Sequence, residues 1–137
     1  MMARKPKALV LDSWTIIAYL EDEPSGQKVA DLIAEAHVDG IPLMMTVINA
    51  GEVWYILARE ASIAEADQSI AELRSLGIEF VEAGWKLTHE AAGFKAKHKM
   101  SYADCFAAAL TKEQKAELVT GDLEFKQVEG DVKVLWV

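Results

Sequence analysis

Short apolar runs of strand length alternate along this chain with segments of helical period, and that alternation narrows the available folds more than any other feature. Residues 8–11 read as a buried strand, with a helix over Ser13–Leu20 starting directly after it. Residues 25–36 carry Val29, Leu32, Ile33 and Ala36 at the i, i+3, i+4, i+7 spacing of one helix face. Leu43–Thr46 is a short strand and residues 47–59 the next helix. Ser62 with Glu65 makes a capping box, opening a helix that Gly77 ends; its apolar stripe is Ile63, Ala66, Ile70 and Leu73. Ile78–Val81 is a strand, and residues 85–98 form a helix with Leu87, Ala91 and Phe94 on one face. Ser101 caps an apolar helix over residues 102–111, and Glu117–Thr120 and residues 132–137 are the last strands. Strands alternating with helices imply an α/β fold, a parallel sheet covered on both faces. In such sheets ligands bind beyond the carboxyl ends of the strands.

Within those apolar segments stand solitary acids. Asp12 is the only charged residue between Ala8 and Leu20, Glu52 the only one between Ile41 and Ala58, and Asp104 is alone between Met100 and Thr111. Burying an unpaired carboxylate costs several kcal/mol, so each must be paired, open to a cleft, or bound to a cation. Asp12 follows the first strand, Glu52 lies in the helix after the second, and Asp104 is in the first turn of its helix. Asp122 follows the strand Glu117–Thr120 after a Thr120-Gly121 turn. Two carboxylates about 5 Å apart repel by roughly 3 kcal/mol at an effective dielectric near 20. No isolated Lys or Arg stands ready to relieve that. Hard oxygen donors without cysteine favour Mg²⁺ or Mn²⁺ over Zn²⁺.

Each acid has a plainer alternative. Asp12 is placed to cap the following helix. Glu52 has Arg59 and Arg74 as partners to weigh, Asp104 completes a Ser101-x-x-Asp104 cap, and Asp122 sits in a Gly-Asp turn. Those explanations work one residue at a time, whereas a shared site explains all of them together. The basic run Lys95, Lys97, His98 and Lys99 is either charge complementing a helix C-terminus or a phosphate-steering rim. Trp14, Trp54, Trp85 and Trp136 are read as core or interface residues.

The whole-chain properties fit one domain, residues 1–137. Hydrophobic residues make up 52% and charged ones 26%, the balance of a globular protein. Cys105 is the sole cysteine, which excludes a disulfide framework and a cysteine metal site and fits a reducing cytoplasm. The basic start, Met1 to Lys7, leads into an apolar stretch, but Asp12 interrupts it and no cleavage pattern follows. Residues 41–58 contain Pro42, Asn49, Gly51 and Glu52 and divide into strand and helix, so no membrane segment is expected. The net charge of −8 argues against holding nucleic acid by bulk positive charge. A polyanionic substrate therefore needs a local basic patch or a metal ion.

The ordered blocks Leu9-Val10-Leu11-Asp12-Ser13, Ile17-Ala18-Tyr19-Leu20, Asn49-Ala50-Gly51-Glu52-Val53, Tyr102-Ala103-Asp104-Cys105-Phe106 and Val119-Thr120-Gly121-Asp122 together make the chain resemble a PIN-domain protein, specifically a VapC-type toxin. The resemblance spans nearly the whole chain. It implies a three-layer α/β/α sandwich with a central parallel sheet and Mg²⁺- or Mn²⁺-dependent endoribonuclease activity on RNA. It also implies a homodimer and inhibition by a VapB-type antitoxin. Asp12 and Asp104 would be the principal metal ligands, Glu52 would complete the acidic trio, and Asp122 would be the fourth acid. Glu124 competes with Asp122 for that fourth place. Ser13 would orient water or phosphate, and Trp14 stands where a small polar residue is more usual. On that mechanism Glu52 positions or deprotonates the attacking water. Two alternatives remain from other classes: a receiver-like Mg²⁺-binding phospho-acceptor domain, which would need an acidic pair near the first strand, where Asp12 is followed by Ser13, and a Lys after the last strand, where none sits suitably, and a catalytically silent PIN-like binding module.

Overall fold

The structure, a computed structural model, describes residues 5–137; the first part of the basic start lies outside them. The strands are β1 (Leu9–Leu11), β2 (Leu43–Thr46), β3 (Ile78–Val81), β4 (Glu117–Thr120) and β5 (Lys133–Trp136). The helices are α1 (Ser13–Leu20), α2 (Gly26–Asp39), α3 (Val47–Glu60), α4 (Ile63–Ser75), α5 (Trp85–Lys97) and α6 (Tyr102–Gln114). The five strands form one sheet in the order β3-β2-β1-β4-β5, and every neighbouring pair is parallel.

Alternating side chains of the sheet feed two cores. Leu9, Leu11, Leu43, Met45, Ile78 and Val119 face the apolar sides of α1 to α4, where Ile16, Val29, Val53 and Leu73 are buried. Val10 and Leu118 point the other way, against Leu87, Phe94, Phe106, Leu110 and Phe125. This is the expected sandwich of sheet between helical layers.

Local sequence accounts for the element ends. Ser62 accepts from the Glu65 amide and Ser101 from the Asp104 amide, as the capping patterns imply. Gly40 and Gly77 take left-handed backbone, φ 68° and 82°, at the ends of α2 and α4. Helix α6 runs on to Gln114, past its apolar stretch, and is closed by Lys115 in the left-handed region at φ 52°. A 3-10 helix over Leu123–Val128 was not expected from the sequence; it buries Phe125 and Val128 and is capped by Asp122. Of the tryptophans read as core or interface residues, Trp54 and Trp136 are partly buried and pack against the two cores, whereas Trp85 is 75% exposed. Among the described residues no helix is long and apolar enough to cross a membrane.

The strand order puts β1 and β4 side by side, with the chain leaving β1 toward β2 and returning to β4 from the far edge. Their carboxyl ends therefore open a crevice at the switch point, where open α/β sheets bind ligands. Asn49 holds the helices around it. Its side-chain amide donates to Ser13 Oγ at 3.3 Å and to the Ala103 carbonyl at 3.1 Å, and its carbonyl oxygen accepts from Thr46. Ser13 in turn donates to the Asn49 main-chain carbonyl at 3.1 Å. One fully buried side chain thus ties the first turns of α1, α3 and α6. Asn49→Ala leaves several buried groups without partners and is expected to destabilise the fold by about 2–4 kcal/mol. Urea unfolding checks this.

Candidate active site

Asp12, first residue beyond β1, is fully buried. One carboxylate oxygen accepts from the Thr15 amide at 2.9 Å, which caps α1; the other accepts from the Thr120 hydroxyl at 2.6 Å. Burial nevertheless pushes its pKa up from 3.8 to about 6, against those hydrogen bonds, with the charge of Asp122 adding to the rise. Thr120, last residue of β4, also accepts from the Asp122 amide at 3.0 Å. A single hydroxyl therefore sets Asp12 and the start of the Asp122 loop relative to each other.

Asp104 shows the strain of the arrangement most clearly. Its pKa is raised from 3.8 to about 7, first by burial and then by the charge of Asp122. The Ser101 hydrogen bond opposes this, and the charges of Asp12 and Glu52 add to it. Acids from three other stretches of chain therefore act on one carboxyl. Carboxylate oxygens of Asp104, Asp122 and Glu124 lie within 4.8 Å of one another. The structure thus brings both candidates for the fourth acid to Asp104, Asp122 capping the 3-10 helix by accepting from the Glu124 amide at 3.0 Å. Glu52 stands apart from that group but lines the same groove.

The groove has a volume of about 340 Å³, and Glu23, Glu52, Asp104 and Asp122 contribute its acids. Trp14, Ile17 and Ile56 supply apolar surface, and Ser13 and Ser101 hydroxyl-bearing residues. Among the described residues no Lys or Arg forms an ion pair with any of these acids. The arginines weighed as partners for Glu52 are placed elsewhere: Arg59 lies over the Tyr55 ring and Arg74 over Phe80. Lys95 donates to the Met100 carbonyl at 2.6 Å, closing the turn after α5, while Lys97 and His98 line a different groove. None of Lys95, Lys97, His98 and Lys99 lines the acidic groove.

Sequence reading missed Thr120, Asn49 and Glu23. The first two are ordinary residues for a strand end and a helix start, and only their burial reveals them. Glu23 sits among Glu21 and Asp22 on an exposed turn, where an acid is expected anyway.

The donor set of Asp104, Asp122 and Glu124, all carboxylate with Asp12 buried behind, suits a hard divalent cation such as Mg²⁺ or Mn²⁺. Bringing such an ion to the groove would offset the mutual repulsion that raises Asp104.

A family model for the PIN domain matches residues 9–131. No curated protein matches the sequence. Solved structures with the same fold include VapBC2 from Rickettsia felis bound to a DNA fragment from its promoter, with TM-score 0.73 and 15% identity, covering 94% of this chain and 98% of that one. DNA-bound VapBC from Salmonella typhimurium gives TM-score 0.73 at 13% identity, covering 94% and 97%. Mycobacterium tuberculosis VapC20, described as a Sarcin-Ricin loop cleaving toxin, gives TM-score 0.63 at 16% identity, covering 81% and 87%.

Proposed function

The chain belongs to the PIN-domain family, and on that premise we propose that it is a VapC-type toxin, a single-domain endoribonuclease that hydrolyses RNA phosphodiester bonds with Mg²⁺ or Mn²⁺ in its acidic groove. The premise sets aside the receiver-like alternative. The observation that carries the reading is Asp104, whose pKa is raised to about 7 by burial and by the charges of Asp122, Asp12 and Glu52, with no basic side chain among the described residues paired to it. A fold keeps such a frustrated cluster when a cation completes it.

In this reading Asp104 and Asp122 hold the ion, Glu124 stands within reach of the same position, and Asp12 supplies charge and ligation from the floor. Each Asp12 oxygen accepts one hydrogen bond and keeps a second lone pair. When bound, the ion neutralises the phosphate oxygens as negative charge grows on them. Glu52, in the groove but outside the ligand group, orients the attacking water and takes its proton. The Ser13 hydroxyl, already donating to the Asn49 carbonyl, offers only its oxygen to a water or donor in the groove.

Other solved structures of this fold are named as a toxin-antitoxin complex from Klebsiella pneumoniae and as VapBC-5 from Mycobacterium tuberculosis, a member of the VapBC family of toxin-antitoxin systems. By analogy we assign this chain a VapB-type antitoxin partner, a homodimeric state and a cytoplasmic setting. Incubation with end-labelled RNA tests the enzyme: cleavage is expected only with Mg²⁺ or Mn²⁺ and should leave 5′-phosphate and 3′-hydroxyl ends. Ends bearing 2′,3′-cyclic phosphate, or cutting that survives chelation, would contradict the mechanism. Failure to cut any RNA with metal present would leave the silent binding module. Co-expression with a neighbouring small gene product should suppress the cleavage if the antitoxin assignment is right.

A further inference from the structure

Trp14 is the second residue of α1, two positions after Asp12, and its indole lines the same groove as Asp104, Asp122 and Glu52. Its seat is built by Gly121, the residue leading into Asp122. A Cβ at 121 would overlap the outer edge of the indole, lying 2.5 and 2.7 Å from Cζ3 and Cζ2. Only glycine lets the ring rest on the backbone there. The indole N–H is also free: Trp54 donates to Asp67 and Trp136 to Glu129, whereas Trp14 has no such partner among the described residues. No buried side-chain polar atom lacks a partner among them, so the Trp14 N–H reaches solvent. A large ring, seated on glycine and half-buried with its polar edge wet, is the one aromatic side chain in the lining of the acidic groove.

We propose that Trp14 is a base platform in this groove: its indole stacks against an unpaired RNA base beside the phosphodiester at Asp104 and Asp122. The proposal rests on the nuclease reading and extends it. Glu23 and Glu52 repel phosphate along the groove, whereas the face of a base is neutral and every base has one. Bases in a duplex have both faces taken by their neighbours, so only a splayed, unpaired base can lie on the indole.

The test compares wild type, Trp14→Phe and Trp14→Leu, the last keeping apolar bulk without a π face. Affinity for a short fluorophore-labelled single-stranded RNA, and for the same sequence in a duplex, is read by anisotropy with Mg²⁺ on rapid mixing. Cleavage kcat/KM and melting midpoints are measured alongside. Wild type is expected to prefer the single strand. Trp14→Leu should lose about tenfold or more of that affinity and little for the duplex, while Trp14→Phe stays within about threefold. Undiminished single-strand binding by Trp14→Leu would overturn the proposal. Equal losses on both RNAs, or a loss in Trp14→Phe as large as in Trp14→Leu, would do the same. Because Trp14→Phe preserves most of the ring packing, the comparison holds even where Trp14→Leu melts early. If Trp14 supports single-strand binding but wild type cuts nothing, the nuclease reading fails and the base platform stands. If RNA is cut at full kcat/KM by Trp14→Leu, the platform fails and the nuclease reading stands.

Discussion

Asp104→Asn is expected to reduce RNA cleavage by more than about 100-fold, since losing even an outer-shell partner of a metal ligand costs 10–100-fold, while leaving the metal-free protein at least as stable as wild type. The two outcomes follow from different parts of one residue. The cap on α6 uses the Asp104 amide, which donates to Ser101 Oγ at 3.1 Å, and Asn keeps that amide. The carboxylate contributes repulsion instead, since Asp122, Asp12 and Glu52 all raise its pKa. Neutralising it removes the repulsion and a metal ligand together. A structural acid would behave in the opposite way, with a lowered melting midpoint and unaffected catalysis. Thermal melts in chelator beside cleavage rates in Mn²⁺ separate the two.

Metal-free protein should also become less stable as pH rises from about 4 to about 7. The sign follows from linkage: Asp12 and Asp104 are raised from 3.8 to about 6 and about 7, so in that window the folded state holds protons that the unfolded chain has released. Their contribution is fully present below pH 4 and is lost as pH rises through the folded values. For fully buried Asp12 the shift corresponds to about 3 kcal/mol. The partly open Asp104 adds an amount that solvent screening reduces. Saturating Mg²⁺ should flatten the dependence, because an ion that binds only the folded, ionised cluster stabilises it by mass action. Asp104→Asn should show a shallower pH slope in chelator and a much smaller response to Mg²⁺.

How much of this was legible in the sequence depends on what each residue does alone. Asp12, Glu52 and Asp104 stood out because a charge inside an apolar run is costly unless something receives it; Glu52 and Asp104 line one groove, and Asp12 lies buried near enough for its charge to act on Asp104. The capping readings of Asp12 and of the Ser101 motif also came true: Asp12 caps α1 with one oxygen, and Ser101 caps α6 through the Asp104 amide, while its effect on the Asp104 carboxyl is outweighed by burial and the charge of Asp122. Thr120 and Asn49 were silent because hydroxyls and amides carry no charge to look misplaced, and their partners are remote in sequence: Thr120 reaches back 108 positions to Asp12. The 3-10 helix over Leu123–Val128 offers just Phe125 and Val128 as buried residues, too few to show a period. The core reading of the tryptophans holds for Trp54 and Trp136, whose rings pack against the cores while their N–H groups reach carboxylates, and fails for the exposed Trp85.

Calorimetric titration of Mn²⁺ into metal-free protein near pH 6.5 reaches the central claim most directly. Saturable binding accompanied by proton uptake into the buffer is expected, because Asp104 with its pKa of about 7 must ionise to accept the ion. Both signals should vanish in Asp104→Asn. Equal binding by the variant, or no saturable binding by the wild type, would contradict it.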